Sequence, residues 1–202
     1  MKTQIAILLF SALFISFLAC KKDNSKADSQ EKIIADDATE QFFQQGEQIA
    51  ATLTNAWGSQ VQKVLQQNDV ATALPYCTIK GLSVADSLQN LNGVAIRRIS
   101  QRPRNLENQP NTIELLLLRQ IVEIKNSGME IKPVRHQIDE YTVALLVPIF
   151  AEKNCLSCHG KVGDDIKAED YAVIKQQYPK DQAINYKAGD LMGGYFLSFR
   201  GQ

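Results

Sequence analysis

The sequence predicts an α+β domain that has a small antiparallel sheet and long N-terminal helices. Between Asp37 and Gln67, apolar residues recur at three- and four-residue steps, which is the period of an amphipathic helix. Further along the chain, Val94–Ser100 and Leu191–Arg200 show the alternation of half-buried strands. Helices gathered early in the chain, followed by strands that include a hairpin, are typical of the α+β class.

Two helical stretches open the predicted domain. The second begins at Asn68 or Asp69, either of which can cap a helix, and it runs to about Leu88 with an interruption at Pro75. This second stretch contains Cys77. The apolar stripe of the first helix consists of Phe42, Ile49, Leu53, Trp57, Val61 and Val64.

Four strands and two more helices complete the prediction. The helix after the Gln101–Gln109 loop is well marked, because Asn111 lies three residues before Glu114 in capping-box spacing and Gly128 can end it. Pro179 ends the last helix. The strands are Val94–Ser100, Glu130–Ile138, Tyr141–Ile149 and Leu191–Arg200, and the last helix spans Asp165–Tyr178.

Length, composition and charge limit the classes of function. A chain of 202 residues that is 45% hydrophobic can bury one sizeable core. Its 22 basic residues are matched by 22 acidic ones. Because nucleic acids are bound through excess positive charge, we expect no nucleic-acid partner.

The N-terminus carries the features of an export signal. A short positive region precedes the apolar run Ile5–Leu18, which is too short for a confident membrane span. The run ends in Phe17-Leu18-Ala19-Cys20, which resembles the end of a bacterial lipoprotein signal. An ordinary secretory signal with an incidental Cys20 is the alternative.

These features predict the organisation of the chain and its location. We expect a signal peptide over residues 1–19, a flexible tether attached to lipid through Cys20 over residues 20–36, and one domain over residues 37–202. The protein is then anchored to a membrane of the cell envelope and faces the periplasm. The sequence does not distinguish the inner membrane from the outer one.

The run Cys155-Leu156-Ser157-Cys158-His159 is the pattern of covalent haem c attachment. Two thiols at this spacing reach the two vinyl groups of the haem, while the adjacent imidazole faces the iron. We therefore predict haem c attached to Cys155 and Cys158, with His159 as an axial iron ligand. The rivals are a structural zinc site, which needs two further ligands, and a disulfide redox pair.

The chain has a fourth cysteine that these assignments leave over. With Cys20 assigned to lipid and two cysteines to haem, Cys77 is either a small buried apolar residue or a second axial ligand. The other candidates for that ligand are His136, Met129 and Met192. Met192 precedes Gly193-Gly194, which would let backbone approach a haem face. Spacing alone leaves these four candidates open.

Three motifs together resemble one known family. They are RRISQRPRN at 97–105, CLSCHG at 155–160 and YPKDQAINYKAGDLMGG at 178–194. Over roughly residues 40–202 the sequence is similar to the PAS-like c-type haem domains, which occur as sensory modules and as small cytochromes. The resemblance implies a PAS-like fold and a His/Cys pair of axial ligands, with Cys77 at the matching position. Asn185 departs from the pattern, because a glycine is expected there, although asparagine also tolerates left-handed backbone.

The arginines of the first motif are candidate partners of the haem propionates, since guanidinium groups form paired hydrogen bonds with carboxylates. They are Arg97, Arg98, Arg102 and Arg104.

The predicted function is that of an exported mono-haem cytochrome acting as a redox or gas sensor. A sensor would work through a signalling partner and would bind CO or NO on ferrous haem. The alternatives are a periplasmic electron carrier and a structural zinc-binding exported protein. We do not expect an enzyme, because the sequence marks no distal acid/base pair beyond His136.

Overall fold

The fold is an antiparallel sheet with one helix packed against each of its faces. The structure is a computed structural model that describes residues 25–67, 70–75, 86–90 and 93–200, with backbone alone over 25–36. Contacts divide the chain into two units, Met1–Asp36 and Asp37–Gln202, and the description below concerns the second. Cys20 and Cys77 lie outside the described residues, as does the side chain of Trp57.

The helices are α1 (Ser25–Gln67), α2 (Val70–Pro75), α3 (Thr112–Asn126), α4 (Leu156–His159) and α5 (Ala168–Gln177), and residues 86–90 are also helical. The strands are β1 (Ala95–Ile99), β2 (Val134–Gln137), β3 (Thr142–Phe150) and β4 (Leu191–Arg200). They form one sheet in the order β1-β4-β3-β2, and every neighbouring pair is antiparallel. The predicted α+β class and the small antiparallel sheet are therefore confirmed.

Alternation along the strands separates two apolar cores. Leu145 in β3 faces the core that α1 covers, and the next residue, Leu146, faces the core under α3. In β4, Phe196 points toward α3, whereas Tyr195, Leu197 and Phe199 share the opposite face, as predicted.

The capping box predicted for α3 is present. Asn111 accepts a hydrogen bond from the backbone N–H of Glu114, and the Glu114 carboxylate accepts one from the N–H of Asn111. After the last turn, Gly128 takes a positive φ of 72°. These local signals fix both ends of the helix that covers one face of the sheet.

Two predicted boundaries are wrong. Helix α1 begins at Ser25, before the predicted start near Asp37, so helical backbone covers much of the segment expected to be a flexible tether. Half of the residues from Ser25 to Asp36 are Ala, Gln, Glu or Lys, and the segment lacks Gly and Pro, so nothing in it breaks a helix. Strand β2 begins only at Val134, because Pro133 has no N–H to offer a neighbouring strand.

The glycine pair before Tyr195 allows close approach within the sheet. A Cβ on Gly193, whose φ is 140°, would lie 2.0 Å from the carbonyl oxygen of Ile99 in β1. A Cβ on Gly194 would lie 2.6 Å from the Leu146 side chain in β3. Among the described residues, these glycines are therefore needed because neighbouring strands pack closely against them. The sequence had suggested a different reason, namely that they let the backbone approach a haem face.

We predict that Gly193→Ala destabilises the domain by about 3 kcal/mol or more, because both the positive φ and the backbone contact oppose a Cβ. The control is Gly58→Ala in α1, where a Cβ meets nothing within 4 Å. It should stabilise by up to about 1 kcal/mol through helix propensity. Urea unfolding measures both; equal stabilities for the two variants would contradict the packing described here.

Candidate functional site

The Cys-x-x-Cys-His run lies where β3 ends. A 3₁₀ turn, Lys153–Cys155, leads directly into the single turn of α4, and Gly160 closes that turn by donating to the carbonyl oxygen of Leu156. Gly160 has to be small, because a Cβ there would lie 2.5 Å from the Asp165 carboxylate. That carboxylate accepts a hydrogen bond from the N–H of Lys161 and holds the chain that follows.

Both thiols of the motif are unpaired and partly buried. Cys155 packs against a small cluster that contains Tyr186 and Met192. Cys158 packs against a different cluster, which contains Val70 and Leu74 of α2 together with Ile166, Ile174 and Tyr171. Burial is the main reason that the pKa of the Cys158 thiol is raised, so this sulfur is a neutral thiol at neutral pH.

The imidazole of His159 is oriented by a backbone carbonyl. Its Nδ1 lies 2.8 Å from the carbonyl oxygen of Ala183. Because a carbonyl oxygen can only accept, Nδ1 carries the proton and Nε2 keeps the lone pair. This is the tautomer in which a histidine donates Nε2 to a metal, with its other nitrogen held by a second group.

The segment that supplies this carbonyl is attached to the motif by its own backbone. The N–H of Asn185 donates to the carbonyl oxygen of Gly160 at 2.8 Å, and the N–H of Tyr186 donates to that of His159 at 2.9 Å. Asn185 has a φ of 60°, so the left-handed backbone expected at this position is confirmed. The ring of Tyr186 meets the His159 ring edge-on, with 6.3 Å between the ring centres.

Burial keeps the His159 ring neutral. It lowers the pKa of His159 from 6.5 to about 3, and the positive charge of Arg104 adds to this effect. The hydrogen bond to Ala183 acts in the opposite direction and offsets the shift only in part. A neutral imidazole is the form that can bind a metal.

Three of the four predicted arginines reach this region. Arg104 donates to the carbonyl oxygen of Cys158, and the Arg102 guanidinium lies 4.1 Å from the centre of the Tyr186 ring. Arg98 lies over the Tyr195 ring, and burial lowers its pKa. Arg97 points to the other face of β1, where it pairs with the buried Glu114 at 2.9 Å.

Of the other predicted ligand candidates, His136 lies apart from the motif and Met129 is exposed. His136 pairs with Ala144 in the sheet, and at ~3.4 Å per residue about 20 Å of strand separates Ala144 from Phe150, where β3 turns toward the cysteines. Met129 is 61% exposed in the loop after α3. Met192, by contrast, is buried beside Cys155.

The motif supplies two thiols and one imidazole as candidate donors. Among residues 25–67, 70–75, 86–90 and 93–200, no three His, Cys, Asp or Glu side chains form a group that could hold a metal ion. Within that part of the chain, then, the motif lacks the further ligands that a zinc site with four protein ligands requires. The set fits the haem c attachment that the motif predicts.

Sequence reasoning missed Asp181, Ala183 and Tyr186 as parts of the site. All three lie in the segment 178–194 that carries the third motif. The sequence analysis had singled out this segment as a motif, but the motif did not reveal that one of its carbonyl oxygens would orient His159.

We predict that the stability of protein that carries no haem falls as the pH is lowered from about 6.5 toward 3. In this window the unfolded His159 binds a proton that the folded ring does not, so the free energy of unfolding decreases; above it, the contribution is constant. Urea unfolding across pH 4–7 should show a smaller slope for His159→Gln. The matched variant His136→Gln retains His159 and should keep the slope; the reverse result would contradict the assignment.

The searches of known proteins support a single family. No curated protein sequence matches this chain. Among solved structures, the chain is similar to the crystal structure of the cyanobacterial heme-protein Tll0287, with a TM-score of 0.55 and 20% identity over 81% of this chain and 95% of that one. At this identity the likeness shows the fold alone. A family model described as Tll0287-like matches residues 28–200, which is most of the sequence, and the chain therefore belongs to the Tll0287-like family.

Proposed function

We propose that this protein is an exported mono-haem c-type cytochrome with a redox or gas-sensing role rather than an enzymatic one. The observation that carries the proposal is the orientation of His159, whose Nδ1–H is bound by the carbonyl oxygen of Ala183, so that its Nε2 could bind an iron. The unpaired thiols of Cys155 and Cys158 lie on the same turn. The structural relative Tll0287 is a cyanobacterial heme-protein, which supports the same role.

A bound haem would supply a one-electron couple and, after loss of an axial ligand, a site for CO or NO. The two cysteines would hold it by thioether bonds, and His159 would bind the iron. Arg98, Arg102 and Arg104 lie close enough to His159 for their charges to lower its pKa, so guanidinium groups are available near the motif for the carboxylates of a haem. Because Arg97 is already paired with Glu114 of α3 and Arg104 with the buried Asp181, we assign the propionate role to Arg98 and Arg102.

We propose Cys77 as the second axial ligand. Leu74 and Val70 of α2 pack in the same apolar cluster as Cys158, which brings the end of α2 next to the motif. Cys77 follows Leu74 by three residues, and a chain of that length spans up to about 10 Å. The thiol is therefore within reach of a group attached to Cys158. His136 lies along the sheet away from the motif, and Met129 is exposed, so Met192 is the remaining rival.

The PAS-like fold, the lipid anchor and the sensing role belong to this proposal too. Helices packed on an antiparallel sheet are compatible with a PAS-like domain, and the lipoprotein-like sequence before Cys20 supports attachment to a membrane of the envelope. Among the described residues, no helix is both long enough and apolar enough to cross a membrane. A sensor built this way would act through a protein partner.

An electron carrier is the second candidate, and the position of Tyr186 favours it. This ring touches His159 edge-on and also lines an open groove of about 260 Å³ together with Arg102 and Lys125. A conjugated side chain between His159 and an open groove would give electrons a short route to a partner. The second axial ligand decides between the two roles, because a carrier should keep it in both oxidation states.

We predict that haem remains on the polypeptide after acidic organic extraction when the full chain is made with a cytochrome c maturation system. Thioether bonds survive conditions that break coordination bonds. The variant Cys155→Ala/Cys158→Ala should carry no covalent haem, whereas Ser157→Ala, inside the same motif, should carry as much as the wild type. Denatured wild-type chain without haem would refute the proposal.

We predict that Cys77→Ala raises the reduction potential by on the order of 100 mV, because an anionic sulfur stabilises ferric more than ferrous iron. It should also open a site for CO. The matched variant Met192→Leu should leave the ferric spectrum unchanged. If Cys77→Ala changes neither spectrum nor potential while Met192→Leu changes both, Met192 is the ligand and the carrier role gains support.

A further inference from the structure

A buried ion pair lies next to the axial histidine. Nε of Arg104 is 3.3 Å from Oδ1 of Asp181, and the two side chains are 12% and 0% exposed. The other carboxylate oxygen of Asp181, Oδ2, is buried and has no hydrogen-bond partner among the described residues. A charge placed so far from water is costly unless its partner is present, so this pair holds its surroundings firmly.

The guanidinium of Arg104 bridges the two segments that the His159 hydrogen bond joins. Its Nη2 donates to the carbonyl oxygen of Cys158, the residue before His159, and also lies 3.4 Å from the carbonyl oxygen of Ala183. Asp181 holds the same segment from the other side, because its Oδ1 accepts a hydrogen bond from the N–H of Ala183 at 2.8 Å. Ala183, whose carbonyl oxygen accepts the hydrogen bond from His159, is thus held at both its N–H and its C=O.

The same pair places opposite charges near the ring. Arg104 disfavours further positive charge at the site, and Asp181 favours it. In water such effects would be screened, but the low exposure of both side chains preserves them. Neither residue donates an atom to a metal, so each acts on the site only through geometry and through its field.

We propose that Arg104 and Asp181 are positioning residues that fix the tautomer of His159 and set the reduction potential of the group it binds. The part of the inference that concerns the reduction potential rests on the proposed function. The part that concerns the tautomer does not, because the hydrogen bond of His159 to Ala183 is present without haem. Loss of Arg104 removes a positive charge and leaves the negative charge of Asp181 unbalanced, so the oxidised state of the bound group is stabilised relative to the reduced one. Loss of the Asp181 charge has the opposite effect.

The experiment uses the full chain, matured with haem and also prepared without it. The variants are Arg104→Gln, Arg104→Lys and Asp181→Asn, with Arg119→Gln on the exposed side of α3 as the matched loss of one positive charge. Arg104→Gln should lower the potential and Asp181→Asn should raise it. Arg104→Lys should stay near the wild type, and Arg119→Gln should not move it.

Nitrogen NMR of His159 in the protein without haem reports the geometry separately. The wild type should show the proton on Nδ1. Both Arg104 variants should show a mixture of tautomers, because neither a glutamine amide nor a lysine ammonium can span two carbonyl oxygens and a carboxylate as the guanidinium does. Asp181→Asn keeps an oxygen for the Ala183 N–H and should retain the wild-type tautomer.

The outcomes distinguish this inference from the proposed function. Potentials that shift in the same direction for Arg104→Gln and Asp181→Asn, or that match the Arg119→Gln control, would overturn the electrostatic role. An unchanged tautomer in Arg104→Gln would overturn the geometric one. If no haem attaches to the wild type, the proposed function fails, whereas the tautomer measurement still decides whether Arg104 positions His159.

Discussion

The hydrogen bond between Nδ1 of His159 and the carbonyl oxygen of Ala183 is the contact on which the arrangement of the site depends. The motif cannot orient the imidazole by itself, because α4 is a single turn of four residues and isolated helices of that length are unstable. The ring direction therefore comes from the segment around Ala183. That segment is anchored to the motif by two backbone hydrogen bonds, which the N–H groups of Asn185 and Tyr186 donate. Asn185 itself has the left-handed backbone conformation.

The topology of the sheet explains why these two segments meet. Strands β3 and β4 are antiparallel neighbours, and Phe150 at the end of β3 pairs with Leu191 at the start of β4. The chain that leaves β3 forms the cysteine motif, and the chain that enters β4 carries Ala183. Pairing continues past the strands, where Ala151 and Asp190 share a backbone hydrogen bond of 2.8 Å. Two motifs that are far apart in sequence are brought to one end of the sheet.

The sequence predicted those parts of the molecule whose causes are local. Asn111 and Glu114 cap α3 through neighbouring atoms, and the alternation in β4 assigns its residues to faces without reference to any other strand. The left-handed Asn185 was likewise foreseeable, because few residues tolerate that backbone. A pattern of residue types was sufficient in each of these places.

Other parts depended on contacts that residue type does not specify. Every residue has a backbone carbonyl group, so the presence of alanine at position 183 did not indicate an acceptor for His159. The separation of Arg97 from Arg98 followed from strand alternation, but their partners came from α3 and from the sheet surface. The glycine requirement at Gly193 arises from the backbone of β1, which is distant in sequence.

The charges around His159 connect its local chemistry with what the site can accept. Arg98, Arg102 and Arg104 all contribute to lowering the pKa of His159, although burial is the larger cause, and Asp181 is the buried carboxylate that pairs with Arg104. Positive charges that lie close together favour the binding of anionic groups beside them. Haem propionates and the thiolate of Cys77, both of which we propose, are groups of this kind. The same guanidinium groups keep the imidazole neutral, which is the state in which Nε2 can donate its lone pair to iron.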